Sequence, residues 1–143
     1  HPGEALKLLS VMKLPELKKD KLTADGIEKN KERFAPILAQ ILHSIVVLKG
    51  ADTVIATPDG KIVINKVGGP ELATAGSGDV LSGIVGSFVG QNPNQVFEAC
   101  CTAVYLHGLS GVLAKEKIGE RSLIASDIIR YLPEAIKKAE NSL

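Results

Sequence analysis

Tryptophan is absent, and aromatic side chains make up only 3% of the 143 residues. So few rings disfavour a stacking platform for single-stranded nucleic acid. Charge of one sign is lacking too. The formal net charge is +1, so no global field favours nucleic acid or an anionic membrane surface. No uninterrupted apolar run reaches the ~18 residues of a bilayer-spanning segment, and no membrane role is expected. Cysteine is scarce: Cys100 and Cys101 are neighbours within a helical pattern and read as small core residues of a reducing, cytoplasmic compartment. Neither shares a metal-ligand spacing with a histidine, which argues against a metal site. There is no initial methionine and no leader pattern. The opening His1-Pro2-Gly3-Glu4 reads as the middle of a longer polypeptide. Internal repeats and low-complexity tracts are also missing.

The remaining pattern is that of one α/β unit spanning residues 1–143. Pro2 suits the first turn of a helix through Leu9, because that turn leaves its N–H groups unused. Lys13 to Leu22 is charged, contains Pro15 and reads as a surface connection; the charged stretch from Pro15 to Asn30 suggests no role. Asp25 is placed to cap a helix reaching about Leu42, with Pro36 kinking or breaking it. The β-branched run Ile45-Val46-Val47-Leu48 suits a strand buried on both faces, as in a parallel sheet. Val54-Ile55-Ala56 and Ile62-Val63-Ile64 flank Thr57-Pro58-Asp59-Gly60, a strong hairpin signal. A helix is expected from Ser77. Its Gly83, Gly86 and Gly90 each cost about 1 kcal/mol relative to alanine, which predicts close approach to a neighbouring backbone. Asn92-Pro93 reads as the opening of another helix, burying Val96, Phe97, Cys100, Val104, His107 and Gly111. His107 reads as a partly buried core histidine. Ser126 is placed to cap a last helix from Asp127 to about Asn141.

The chemistry concentrates in Ala73-Thr74-Ala75-Gly76-Ser77-Gly78-Asp79-Val80-Leu81-Ser82-Gly83. Read blandly, this is a tight turn with a helix cap. Read functionally, it is an anion site: backbone N–H groups near Gly76, Ser77 and Gly78 stand at a helix start, where the dipole favours negative charge. The pattern is neither G-x-x-x-x-G-K-[ST] nor G-x-G-x-x-G. It is G-x-G-D, which sets a base beside a phosphate cradle. Phosphoryl transfer needs that pair: a group to take the proton of the attacking hydroxyl, and donors for the phosphoryl oxygens.

Together with its flanks, the stretch from Asn65 to Gly83 resembles the signature of the ADP/ATP-dependent NAD(P)H-hydrate dehydratases, members of the ribokinase-like superfamily. The opening His1-Pro2-Gly3-Glu4 is similar to the family's HPGE motif, and Val46 to Thr53 to its nucleotide-side strand and loop. The tail from Ala125 to Ile136 also fits. Gly68-Gly69-Pro70 departs from the family's usual Gly-Asn-Pro. The resemblance implies the C-terminal portion of a ribokinase-like three-layer α/β fold, with an upstream half of the same domain preceding His1. It implies dehydration of the S form of hydrated NADH or NADPH at the expense of ADP or ATP, with Mg²⁺ accompanying the nucleotide. Asp79 would be the base and also touch the substrate hydroxyl. Gly76, Ser77 and Gly78 would form the anion hole. Lys49, Gly50, Ala51, Asp52 and Thr53, with Gly78, would bind the adenine nucleotide, and His1 would contact the hydrated dinucleotide. A homo-oligomer is plausible for the family. Two other readings stay open: a ribokinase-like kinase of a sugar or vitamin alcohol, and a non-catalytic nucleotide-binding module.

Overall fold

The computed structural model describes residues 1–12 and 22–142. The surface connection expected over residues 13–22 lies, apart from Leu22, outside them. The described chain falls into two compact units, His1–Ile64 and Asn65–Leu143.

The first unit packs three helices against a small sheet. Helix α1 spans Pro2–Val11, two residues beyond the expected end. The next helical stretch starts at a different cap from the expected one. Thr23, not Asp25, caps helix α2 (Ala24–Lys29), its Oγ1 accepting the Gly26 N–H at 3.0 Å. A side-chain acceptor works from the residue just outside the helix, and Asp25 is already inside. Asp25 instead pairs with Lys29 one turn on, at 2.7 Å. The break falls at Asn30, and helix α3 (Lys31–Leu42) runs straight through Pro36.

Strands β1 (Val46–Leu48), β2 (Thr53–Ala56) and β3 (Ile62–Asn65) form a sheet in the order β1-β2-β3. The parallel arrangement suggested by the run 45–48 is not what joins these strands. Strand β1 pairs with β2 antiparallel, Val47 opposite Ile55. The physical reason is the short connection through Lys49–Asp52, since parallel neighbours need a crossover of a dozen or more residues. Nor is β1 buried on both faces: Val46 and Val47 are only half-buried. The β2–β3 hairpin forms as expected. Thr57 N–H donates to the Lys61 carbonyl (2.9 Å), Gly60 N–H donates to the Thr57 carbonyl (3.0 Å), and Gly60 takes φ +90°. A type I turn followed by a left-handed glycine closes a three-residue hairpin loop. The core joins Leu9 of α1, Ile27 of α2, Phe34 and Leu38 of α3, Leu48 and Val54. Each such buried side chain contributes about 1.5–3 kcal/mol.

The second unit is helical. A short 3₁₀ turn (Pro70–Leu72) leads to helix α4 (Ser77–Gln91), which begins where the sequence suggests. Asn92 ends this helix instead of opening the next: its N–H and side-chain amide both donate to the Phe88 carbonyl. Helix α5 (Val96–Ile118) therefore starts three residues after Pro93. Of its expected buried face, Phe97, Cys100, Val104, His107 and Gly111 are buried and Val96 is half-buried. Burial pushes the Cys100 thiol up, as fits a core residue. By length and composition α5 could cross a membrane, but 67% of its apolar window is buried, which makes it the core helix of this unit. Helix α6 (Ala125–Glu140) packs along α5 through Leu109, Leu113 and Ala135. Its start is held not by Ser126 but by Asp127, whose carboxylate accepts the Ile124 N–H at 3.0 Å.

Among the described residues, the glycines of α4 are not closely approached. A Cβ added at Gly83, Gly86 or Gly90 would meet nothing within 4 Å among the described residues. Close approach occurs on α5 instead, where Gly108 lies against the Val67 carbonyl and Gly111 against Leu72. In the 143-residue chain, Gly86→Ala is therefore expected to be stabilising by roughly 0.5–1 kcal/mol, through helix propensity alone. Denaturant unfolding measures this; a destabilised variant would mean that the glycine face is packed.

Candidate functional site

The start of α4 is built around Gly76, the residue just outside the helix. Its φ of +87° suits glycine, and a side chain there would also crowd the Ala125 Cβ at 3.2 Å. Its carbonyl accepts the Val80 N–H at 3.0 Å, closing the first turn. Ser77 is turned inward: it is buried, and its N–H donates to the Thr74 carbonyl at 3.2 Å. The amides of Gly78 and Asp79 have no partner among the described residues, as the first turn of a helix dictates. The expected donor set is thereby redistributed, because Ser77 spends its N–H within the protein while the next two amides stay open. The Asp79 side chain is exposed and makes no ion pair among the described residues. One turn thus sets open N–H donors beside a carboxylate.

The approach to this turn is fixed by two close contacts. Gly68 has φ +109° and lies near the Gly108 Cα, so the backbone of residues 67–68 runs directly over α5. Glu71 is buried, and Lys115 of α5 donates to it at 3.4 Å. That pair ties the Pro70–Leu72 turn to the core helix. Lys115 also donates to Glu120 at 2.6 Å, and these hydrogen bonds, Glu120 first, hold its ammonium above the usual lysine range.

The other expected residues lie in the first unit. Lys49, Gly50, Ala51 and Asp52 form the loop between β1 and β2, and Thr53 begins β2. The loop is tied down by a residue that the sequence reading left without a role. Glu28 of α2 accepts the Ala51 N–H at 3.1 Å and pairs with the buried ammonium of Lys31. Gly50 gives room for this: a Cβ there would collide with the Glu28 carboxylate and lie 2.7 Å from the Lys31 Nζ. Beside the loop lies a cleft of about 340 Å³, lined by Glu28, Lys31, Arg33, Asp52, Val54 and Ile64. Glu28→Gln keeps the shape and removes the counter-charge of Lys31. It is expected to cost about 1–2 kcal/mol, discounted for the partial exposure of Glu28. Chemical denaturation reads the effect, and Lys31→Met in the same background should return part of it.

His1 caps α1: its Nδ1 accepts the Gly3 N–H at 3.2 Å, while the His1 amine donates to Glu4 at 2.8 Å. The Glu4 carboxyl accepts this hydrogen bond from the His1 nitrogen and also feels the charge of Lys49, both of which favour its ionised form. Residues 1–4 and the 49–53 loop, far apart in sequence, therefore share one electrostatic neighbourhood. The structure groups the expected residues in two sets: His1 with 49–53 in the first unit, and 76–79 in the second. Glu28 and Glu71 went unread because Ala51 and Lys115 lie 23 and 44 residues away, with no local spacing to reveal them.

The family model described as NAD(P)H-hydrate dehydratase matches residues 1–134. The bifunctional NAD(P)H-hydrate repair enzyme Nnr of Moorella thermoacetica is 38% identical over 143 residues, covering 100% of this chain and 25% of the relative. The ADP-dependent (S)-NAD(P)H-hydrate dehydratase of Neisseria meningitidis is also 38% identical, over 97% of this chain and 44% of its own. The crystal structure of the Bacillus subtilis ADP/ATP-dependent NAD(P)H-hydrate dehydratase, co-crystallised with ATP/Mg²⁺, matches 96% of this chain. Its TM-score is 0.80 at 30% identity, and 46% of that chain is covered. The chain thus spans less than half the length of these relatives. Its fold is the ribokinase-like α/β fold of these neighbours. From motifs, geometry and likeness together, the chain belongs to the NAD(P)H-hydrate dehydratase family.

Proposed function

We propose that the protein carrying this chain restores NADH or NADPH from the S form of its hydrate, using ADP or ATP, in the cytoplasm. The observation that carries this reading is the first turn of α4, where Asp79 stands beside the unpartnered amides of Gly78 and Asp79. Asp79 takes the proton from the hydrate hydroxyl, and the oxygen attacks the terminal phosphorus of the nucleotide. The bridging P–O bond breaks and AMP or ADP leaves. The phosphorylated hydrate then loses its C–O bond and a proton, giving the dinucleotide and inorganic phosphate. The open amides, with Gly76 supplying the turn, hold the phosphoryl oxygens while charge builds there.

Lys49, Gly50, Ala51, Asp52 and Thr53 are assigned to the adenine nucleotide together with Gly78, and His1 to the hydrated dinucleotide. The names of the Neisseria meningitidis and Bacillus subtilis relatives, and the latter's co-crystallisation with ATP/Mg²⁺, support the use of an adenine nucleotide. Mg²⁺ enters with the nucleotide. Phosphate oxygens and water would be its main ligands, as is usual for Mg²⁺ bound with a nucleotide. Product analysis on the full-length polypeptide tests the reaction. Dehydration returns the absorbance of the reduced nicotinamide and releases inorganic phosphate. A stable phosphomonoester with no phosphate release would instead identify a small-molecule kinase.

A further inference from the structure

His107 has no part in the reaction proposed above, yet it is buried and touches the phosphate turn directly. Its Nε2 lies 3.1 Å from the Ser77 carbonyl oxygen and 3.3 Å from the Ser77 Oγ. A carbonyl oxygen can only accept, so Nε2 carries the proton and donates. We propose that His107 is a positioning residue that sets the peptide between Ser77 and Gly78, and through it the aim of the Gly78 N–H.

Planarity of the peptide bond couples the two groups. The Ser77 carbonyl and the Gly78 N–H belong to one trans peptide unit and point in opposite directions. Fastening the oxygen toward α5 directs the N–H away from α5. The rest of Ser77 is held in the same sense, with its N–H on the Thr74 carbonyl and its Oγ beside the same imidazole nitrogen. Ser77 thus points its polar groups inward, and the open donors are those of Gly78 and Asp79.

Such a tether is needed here. Glycines at 76 and 78 give the turn wide backbone freedom, and the first turn of a helix lacks half of its internal hydrogen bonds. The anchor is itself rigid. One residue beyond His107, Gly108 is packed against the Val67 carbonyl, where a Cβ would lie 2.8 Å from the carbonyl carbon. His107 therefore transfers the rigidity of the core helix to a turn that has little of its own. A donor aimed at developing phosphoryl charge stabilises the transition state only when it is held in place beforehand.

This inference rests on the phosphoryl-transfer reading, and its test separates the two. Full-length His107→Leu and His107→Gln variants are compared with the parent protein for unfolding midpoint, nucleotide affinity, kcat, and the amide cross-peaks of Gly78 and Asp79. The Gln side-chain amide donates from nearly the same place as Nε2; Leu donates nothing. The expected result for His107→Leu is a kcat lowered about tenfold to hundredfold, nucleotide affinity changed less than threefold, and a shifted or broadened Gly78 cross-peak. His107→Gln should recover most of the rate and the peak position. A folded His107→Leu protein with the parental Gly78 cross-peak overturns the proposal, whatever reaction the protein performs. So does a Gln variant as impaired as the Leu variant. A parent protein that fails to convert hydrated NADH sinks the functional reading instead, and leaves the cross-peak comparison to decide the role of His107.

Discussion

Asp79→Asn is expected to lower kcat by roughly 10²–10⁴-fold, with nucleotide affinity nearly unchanged. General-base catalysis contributes a factor of that size, equivalent to about 3–5 kcal/mol of barrier. Asparagine matches aspartate in shape but cannot take the hydroxyl proton. The open amides of the first turn belong to the backbone and survive the exchange, and the nucleotide loop at 49–53 lies in the other unit. The assay uses the full-length polypeptide with hydrated NADH and ADP or ATP, following recovery of the reduced nicotinamide. Nucleotide binding is measured separately by calorimetry. Near-normal turnover in the variant would remove Asp79 from the role of base. A loss of nucleotide binding equal to the loss of rate would make it a binding residue instead.

Gly108→Ala is expected to destabilise the protein by roughly 3 kcal/mol, the upper end of overpacking costs. The added Cβ would overlap the Val67 carbonyl oxygen and lie 2.8 Å from its carbon and 3.3 Å from the Gly68 nitrogen. These are backbone atoms, so no side chain can rotate to make room. Gly111→Ala makes a useful contrast, because its nearest neighbours are side-chain atoms of Leu72 and Glu71, which have some freedom to move. Denaturant melts of the two variants should rank Gly108→Ala clearly lower. Equal stabilities would show that the 67–68 segment yields more easily than its backbone contact implies. Because the phosphate turn follows that segment and is tethered beside it at His107, loss of activity is expected to accompany loss of stability.

The elements that could be read from sequence are those whose signal is local. Proline, aspartate and glycine at 58–60 specify a hairpin turn whatever surrounds them. Gly76 to Asp79 announce a helix start with a carboxylate, and the helix begins at Ser77 as expected. Caps were harder, since several polar residues compete within a few positions. Thr23 displaces Asp25, Asp127 displaces Ser126, and Asn92 closes α4 instead of opening α5. Each alternative is plausible by residue type, and geometry decides between them. The misreading of Gly83, Gly86 and Gly90 has the same origin. Glycine spacing says where a backbone could be approached; only the packing says that, of the glycines within α4 and α5, Gly108 and Gly111 are closely approached by the described residues.

By itself, the sequence determined the chemical inventory of the site: a carboxylate at 79, glycines around it, and the HPGE and KGADT segments. These are contiguous stretches, legible without any knowledge of what packs against them. Tertiary structure alone decided which of these groups are tied down and by what. Glu28 holds the 49–53 loop, Lys115 holds Glu71, and His107 holds the Ser77 carbonyl across 30 residues of sequence. The physical reason is that hydrogen bonds and close contacts depend on position within a few tenths of an ångström. No local spacing encodes that for residues brought together only by packing helices and strands.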